Sequence, residues 1–158
     1  FRNVYSECIM ADEAIVQSIV TLFPDEVRSV LGTTSAYKTS TTTPADANDK
    51  WYYSFIGVGT GVGGNDLIQG SFLEDTSTSV LSTDYVKFLY IENAGGTSAN
   101  LYVSLDGNTA SSGLVHGIII PATGFWFGTF RGNPVGNIHA ASASGSINCV
   151  VAAIIDDL

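Results

Sequence analysis

Residues 85–158 read YVKFLYIENAGGTSANLYVSLDGNTASSGLVHGIIIPATGFWFGTFRGNPVGNIHAASASGSINCVVAAIIDDL. Short runs rich in Val, Ile, Tyr and Phe alternate here with clusters of Gly, Asn, Asp and Pro. Turn signals recurring every 8 to 12 residues or so are the sequence pattern of an antiparallel sandwich or jelly roll. In NLYVSLDG the alternation is clean, with Leu101, Val103 and Leu105 inward against Tyr102 and Ser104 outward, and Asp106-Gly107 is a hairpin turn signal.

The strand reading extends back to Lys50. KWYYSFIGV places Trp51, Tyr53 and Phe55 on one face and Tyr52, Ser54 and Ile56 on the other. Aromatic residues on both faces mean either a strand buried on both sides or one that meets a partner. Counting back from the C-terminus gives about eight strands, the number a jelly roll needs. The fold class expected is therefore all-β: an antiparallel β-sandwich or jelly roll over residues 50–158, preceded by an arm over residues 1–49.

That arm holds the only helix-like sequence. Ile15, Ile19, Leu22 and Phe23 recur at helical spacing, although the density of β-branched residues makes a strand over residues 14–23 a comparable reading. In PDEVRSVL (residues 24–31) Pro24 suits a first helical position, Asp25 and Glu26 complement the N-terminal dipole, and Gly32 provides a stop, which predicts a short helix. The Thr- and Ser-rich stretch that follows is too polar for a core and reads as a linker or extended arm.

Bulk composition narrows the function classes. The 158 residues fit one domain able to bury a core without staples. Only 13% of residues are charged, about half the usual share, so Ser, Thr, Asn and Gly must cover the surface. Fifteen acidic against six basic side chains give a net charge of −9, a balance that repels nucleic acid, whose binding needs clustered Lys and Arg. No apolar run approaches the roughly eighteen residues of a membrane span. Neither nucleic acid nor membrane is an expected partner. Cys8 and Cys149 lie near opposite ends; a bridge would close a very long loop, and free buried thiols are the preferred reading.

Gly59, Gly61 and Gly64 give a GxGxxG spacing, but a strand-like run follows where a phosphate loop needs a helix N-terminus, and the Walker lysine is missing. The segment reads as a hairpin loop. Asp46, Asn48 and Asp49 cluster oxygen donors suited to calcium without an EF-hand spacing, and read as solvated turn groups. Asp156 and Asp157 read as an exposed tail. His116 and His139 are the only candidate general bases, and neither a nucleophile elbow nor a zinc spacing accompanies them. No catalytic residue, metal or cofactor is expected, and the chain does not read as an enzyme.

What remains is surface. In GFWFGTF, a single sheet face is expected to bury Phe125 and Phe127, with Thr129 as a third candidate, leaving Trp126, Gly128 and Phe130 on the other. If the second face meets solvent, Trp126 and Phe130 form an apolar strip that marks an interface or a carbohydrate platform; the alternative is a strand buried on both sides. INCVVAAII is likewise apolar on both faces. Two such strands exceed what one core absorbs, so self-association is expected, through a closed trimer or by seating on a lattice. The interface candidates are Trp126, Phe130, Trp51, Tyr102, Val150 and Ile154.

Taken together, Ile91, Asn93 and Gly95 in a strand and turn, the VSLDG of residues 103–107, a small-residue turn before an aromatic strand, and the NIHA of residues 137–140 resemble small virion structural proteins of tailed bacteriophages, especially marine and cyanobacterial ones. The resemblance covers residues 51–158. It implies a jelly-roll or β-sandwich capsid decoration (cement) protein on the capsid exterior, forming trimers and clamping the major capsid protein, with no catalytic residues. Tail or fibre domains that bind a receptor or glycan through Trp126, Tyr102 or Trp51, and subunits of extracellular filaments, are the alternatives.

Overall fold

The computed structural model describes residues 14–21, 35–42, 48–61, 65–73, 75–96, 99–111 and 117–158. The chain divides into two units, Phe1–Pro44 and Ala45–Leu158.

In the first unit, β1 (Ala14–Thr21) pairs antiparallel with β2 (Ser35–Thr42), in register from Ala14 opposite Thr42 to Thr21 opposite Ser35. Of the two readings of the AIVQSIVT stretch, the strand is the one that forms, consistent with the restricted χ1 of its β-branched residues. Within the polar stretch expected to be a linker or extended arm, Ser35–Thr42 is also a strand. Threonine suits a pleated backbone whether or not its side chain is buried, and a strand needs a hydrogen-bonded neighbour before it needs a core. The expected helix over residues 24–31, and Cys8, lie outside the described residues.

The second unit is an all-β antiparallel sandwich. Its strands are β3 (Asp49–Val58), β4 (Asn65–Asp66), β5 (Tyr85–Asn93), β6 (Leu101–Ser104), β7 (Ile118–Ile120), β8 (Phe125–Pro134), β9 (His139–Ser142) and β10 (Ile147–Asp156), with a 3-10 turn at Val135–Asn137. One sheet has the order β3-β10-β5-β8 and the other β4-β9-β6-β7.

The chain changes sheet at nearly every connection, and this corrects two turn expectations. The glycine-rich segment after β3 is not a hairpin loop, because β3 and β4 belong to different sheets. Asp106-Gly107 does not close a tight hairpin either. Asp106 accepts from the Ser104 hydroxyl at 2.6 Å and from the Asn108 N–H at 3.1 Å, and Gly107 takes φ +80°, so the pair starts a long connection before β7.

Inward residues of both sheets form one core. Val86, Leu89, Ile91, Val151 and Ala153 of the first sheet meet Leu101, Val103, Ile120 and Ala140 of the second, all at most 1% exposed. Asn93 pins the sheets together at one end: fully buried, it donates to the carbonyls of Ala99 (3.0 Å) and Ile120 (3.2 Å) while its Oδ1 accepts from Gly95 N–H (3.2 Å). Tyr52 acts similarly, exchanging hydrogen bonds between its hydroxyl and the backbone of Gln69.

Candidate interaction surface

The ladders of the first sheet fix which side chains share its outer face. β10 sets Val150 opposite Phe55 and Glu92, Ala152 opposite Tyr53 and Tyr90, and Ile154 opposite Trp51 and Phe88. β5 in turn sets Glu92 opposite Phe125, Tyr90 opposite Phe127 and Phe88 opposite Thr129. Since Val151 and Ala153 point into the core, alternation sends these three rows outward. Seven aromatic side chains therefore lie on one face of one sheet. Tyr53, Phe55 and Phe125 are 54%, 61% and 58% exposed, which is a contiguous apolar surface and not scattered single hydrophobes.

The face has relief. On one side Tyr53 and Phe55 stand up from β3, and on the other Tyr90 stacks on Phe125 (5.9 Å), which stacks on Phe127 (6.4 Å). Half-buried Val150 and Ala152 of β10 lie between them as a lower floor. Ile154 (2% exposed) and Phe88 (4%) are covered, and Phe88 meets the edge of Trp51 at 6.4 Å. Glu92 is the one charged residue in these three rows, and it accepts a hydrogen bond from the Tyr90 hydroxyl at 2.9 Å. Desolvation first, and this carboxylate second, push the Tyr90 hydroxyl up to about 12, so it stays neutral. Such a surface can bury apolar area against a partner.

Three of the six interface candidates lie on this face: Trp51, Val150 and Ile154. Trp126 and Phe130 do not, and the facing of β8 is the reverse of the expectation. Trp126 pairs with Ile91, which points inward, so Trp126 packs against the core while Phe125, Phe127 and Thr129 look out. Gly128 makes this possible, because a Cβ there would fall 2.6 and 2.8 Å from the Trp126 ring. The indole lies across that gap and meets Phe130 at 6.1 Å. Tyr102 belongs to the outer face of the other sheet, half-buried beside a hollow of about 220 Å³ lined also by Thr60, Thr109, Ser111 and Ser142. Sequence reasoning missed Tyr53, Phe55, Tyr90, Phe125 and Phe127 as surface residues. Their alternation was visible, but the outward side was not.

Charged residues gather at one end of the sheet. Lys87 reaches Asp49 at 2.6 Å and Asp156 at 3.1 Å; Lys50 reaches Asp157 at 2.6 Å and Asp75 at 3.5 Å, and lies 5.0 Å from the centre of the Phe72 ring. The hydrogen bond that Lys87 donates to Asp49 holds its ammonium above the ordinary range, and the one that Lys50 donates to Asp157 does the same there. Asp156 and Asp157 are thus ion-paired at the end of β10 and are not a free tail. Nor is Asp49 a solvated turn group: its side chain is 1% exposed and engaged by Lys87. Asp46, the first of the calcium candidates, lies outside the described residues, as does His116.

The remaining chemistry-bearing residues are held singly. His139 of β9 faces Asp66 of β4, with Nδ1 3.1 Å from the carboxylate but out of line for a hydrogen bond. Cys149 is a free thiol, fully buried, and burial pushes it up to about 12. Among the described residues no group of His, Cys, Asp and Glu is placed to hold a metal ion, and no helix is long and apolar enough to cross a membrane. Comparison with protein-family models, curated proteins and solved structures finds no match to this chain.

Proposed function

We propose that this chain is a structural subunit of a virion, and specifically a decoration protein that seats on a capsid lattice of a tailed bacteriophage. The observation that carries the reading is the aromatic outer face of the β3-β10-β5-β8 sheet, too apolar to be left in water. The sandwich, the scarcity of charge and the sequence resemblance of residues 51–158 agree with it. Each Å² of apolar surface removed from water contributes about 25 cal/mol before association costs. Seated between neighbouring capsid subunits, the face would add contact area that resists lattice expansion. Electron cryomicroscopy of particles containing this chain tests the reading: the aromatic face is expected against the major capsid protein, and Phe125→Lys is expected to abolish binding. A chain that is found in no particle, or that is carried with this face in solvent, would overturn it.

A second reading rests on the hollow beside Tyr102. One aromatic ring among Thr60, Thr109, Ser111 and Ser142 is chemically suited to a neutral sugar, as a receptor-binding fibre domain would require. Of the three stacking candidates, only Tyr102 lines this hollow. Glycan-array binding abolished by Tyr102→Ala would favour this reading over the first.

A further inference from the structure

A β-sheet edge is a template for another strand unless something blunts it, and shortness, bulges, proline and charge are the usual devices. The sandwich has four edge strands, β3, β8, β4 and β7. β4 has two residues and β7 three. β8 is bulged where Val86 and Phe88 meet Asn133 and Thr129, with Arg131 inside the bulge and Pro134 at its end. β3 is different. It runs ten residues in unbroken register with β10, contains no proline, and no charged residue occurs in residues 51–65.

The phase of its backbone can be read from one bond. Trp51 C=O accepts from Leu73 N–H at 2.8 Å, on the side away from β10. Antiparallel alternation then turns the N–H and C=O of Tyr53, Phe55 and Gly57 to that same open side, and no described residue pairs with them there. The same three residues are exposed on the outer face.

We propose that a second copy of this chain pairs antiparallel with β3 about a two-fold axis at Phe55, joining two four-stranded sheets into one. In this register Phe55 faces Phe55 of the second copy, and Tyr53 faces the second copy's Gly57. Gly57 supplies the argument for self-pairing. Nothing inside the chain requires glycine there, since a Cβ would meet Ser146 Oγ at an ordinary 3.4 Å and its φ is not positive. An aromatic ring laid over a cross-strand glycine is a recognised way of covering that gap, and the Tyr53 ring stands at that position. Leu73 at one end, and the bond from Ser142 N–H to Gly59 C=O at the other, confine the pairing to residues 53–57. The net charge of −9 opposes association in general, but this segment is uncharged, so no like charges meet across the axis.

The pairing rests on reading the outer aromatic face as an assembly surface, which it would double in width. Its test uses the full chain with Cys8→Ser. Hydrogen-bonded antiparallel partners have Cα atoms about 5.5 Å apart, within disulfide reach. Phe55→Cys is therefore expected to form a covalent dimer on mild oxidation. Tyr53→Cys alone should not, while Tyr53→Cys mixed with Gly57→Cys should. Sedimentation equilibrium should give a dimer for the parent chain and a monomer for Phe55→Lys, whose circular dichroism spectrum should remain that of a folded β-protein. A parent chain that sediments as a monomer or a closed trimer, or cross-linking equally efficient at all three positions, would overturn the pairing. Cross-linking at position 55 in a chain that binds no particle would leave the pairing standing and remove the virion reading. Particle binding by a chain that never cross-links would do the reverse.

Discussion

Gly128 decides the facing of the most aromatic strand in the chain. Its missing side chain leaves the space in which the Trp126 indole lies, and through that space Trp126 reaches Phe130 and the core. Gly128→Ala puts a methyl group 2.6 Å from the ring, so the indole must rotate away. Overpacking of this kind costs about 1–3 kcal/mol. Urea unfolding should show that loss, and in a Trp51→Phe background the remaining tryptophan fluorescence should shift to the red. An unchanged midpoint would mean that the ring has another seat. Nothing in GFWFGTF read alone distinguishes this arrangement from its mirror, in which Trp126 is the exposed residue.

At the scale of elements, Asn93 does what neither sheet can do by itself. The end of β5 belongs to one sheet, while Ala99 and Ile120 lie beside β6 and in β7 of the other, and the Asn93 amide donates to both carbonyls. Asn93→Ala removes a donor from both carbonyls and is expected to cost about 1–3 kcal/mol. Asn93→Asp adds a pH dependence. A carboxylate facing two carbonyl oxygens is disfavoured in its charged form, so its folded pKa rises above the unfolded value of about 3.9. Stability is then greatest below that value, where the protonated acid can donate to one carbonyl, and falls as pH rises through the folded pKa. Thermal unfolding of Asn93→Asp across pH 3–7 should show a deficit against the parent that widens with pH; a constant deficit would count against the donor role. The IENAGG turn was legible as a turn, but its asparagine as a tie between sheets was not, because both partners come from later in the chain.

For the molecule as a whole, the acidic balance and the aromatic face act against each other. Lys50 and Lys87 are committed to ion pairs at one end of the sheet, and the three aromatic rows carry only Glu92. Repulsion between copies at neutral pH therefore comes from the rest of the surface. It disappears near the isoelectric point of 4.3, and it is screened at 1 M salt, where the Debye length is about 3 Å. Light scattering should accordingly show association rising as pH falls toward 4.3, and also at pH 7 in high salt. Replacing Phe55 and Phe125 by Ser should suppress both effects. Association that ignores pH and salt would place the sticky surface elsewhere.

The sequence by itself determined the strand class, the strand character of the ladders within residues 50–158 and the scarcity of basic side chains. These are local or additive properties: β-branched and aromatic runs favour extended backbone, and Gly, Asn, Asp and Pro interrupt it. It also determined which side chains share a face within each strand, since that follows from a period of two. Tertiary structure alone decided which of the two faces looks out, because that depends on where the other sheet lies. Trp126 and Phe125 exchanged roles on this account, and Tyr102 went to a different sheet from Trp51, Val150 and Ile154. Only the ladders across β3, β10, β5 and β8 assembled residues from distant parts of the chain into one aromatic surface, and no window of sequence contains that surface whole.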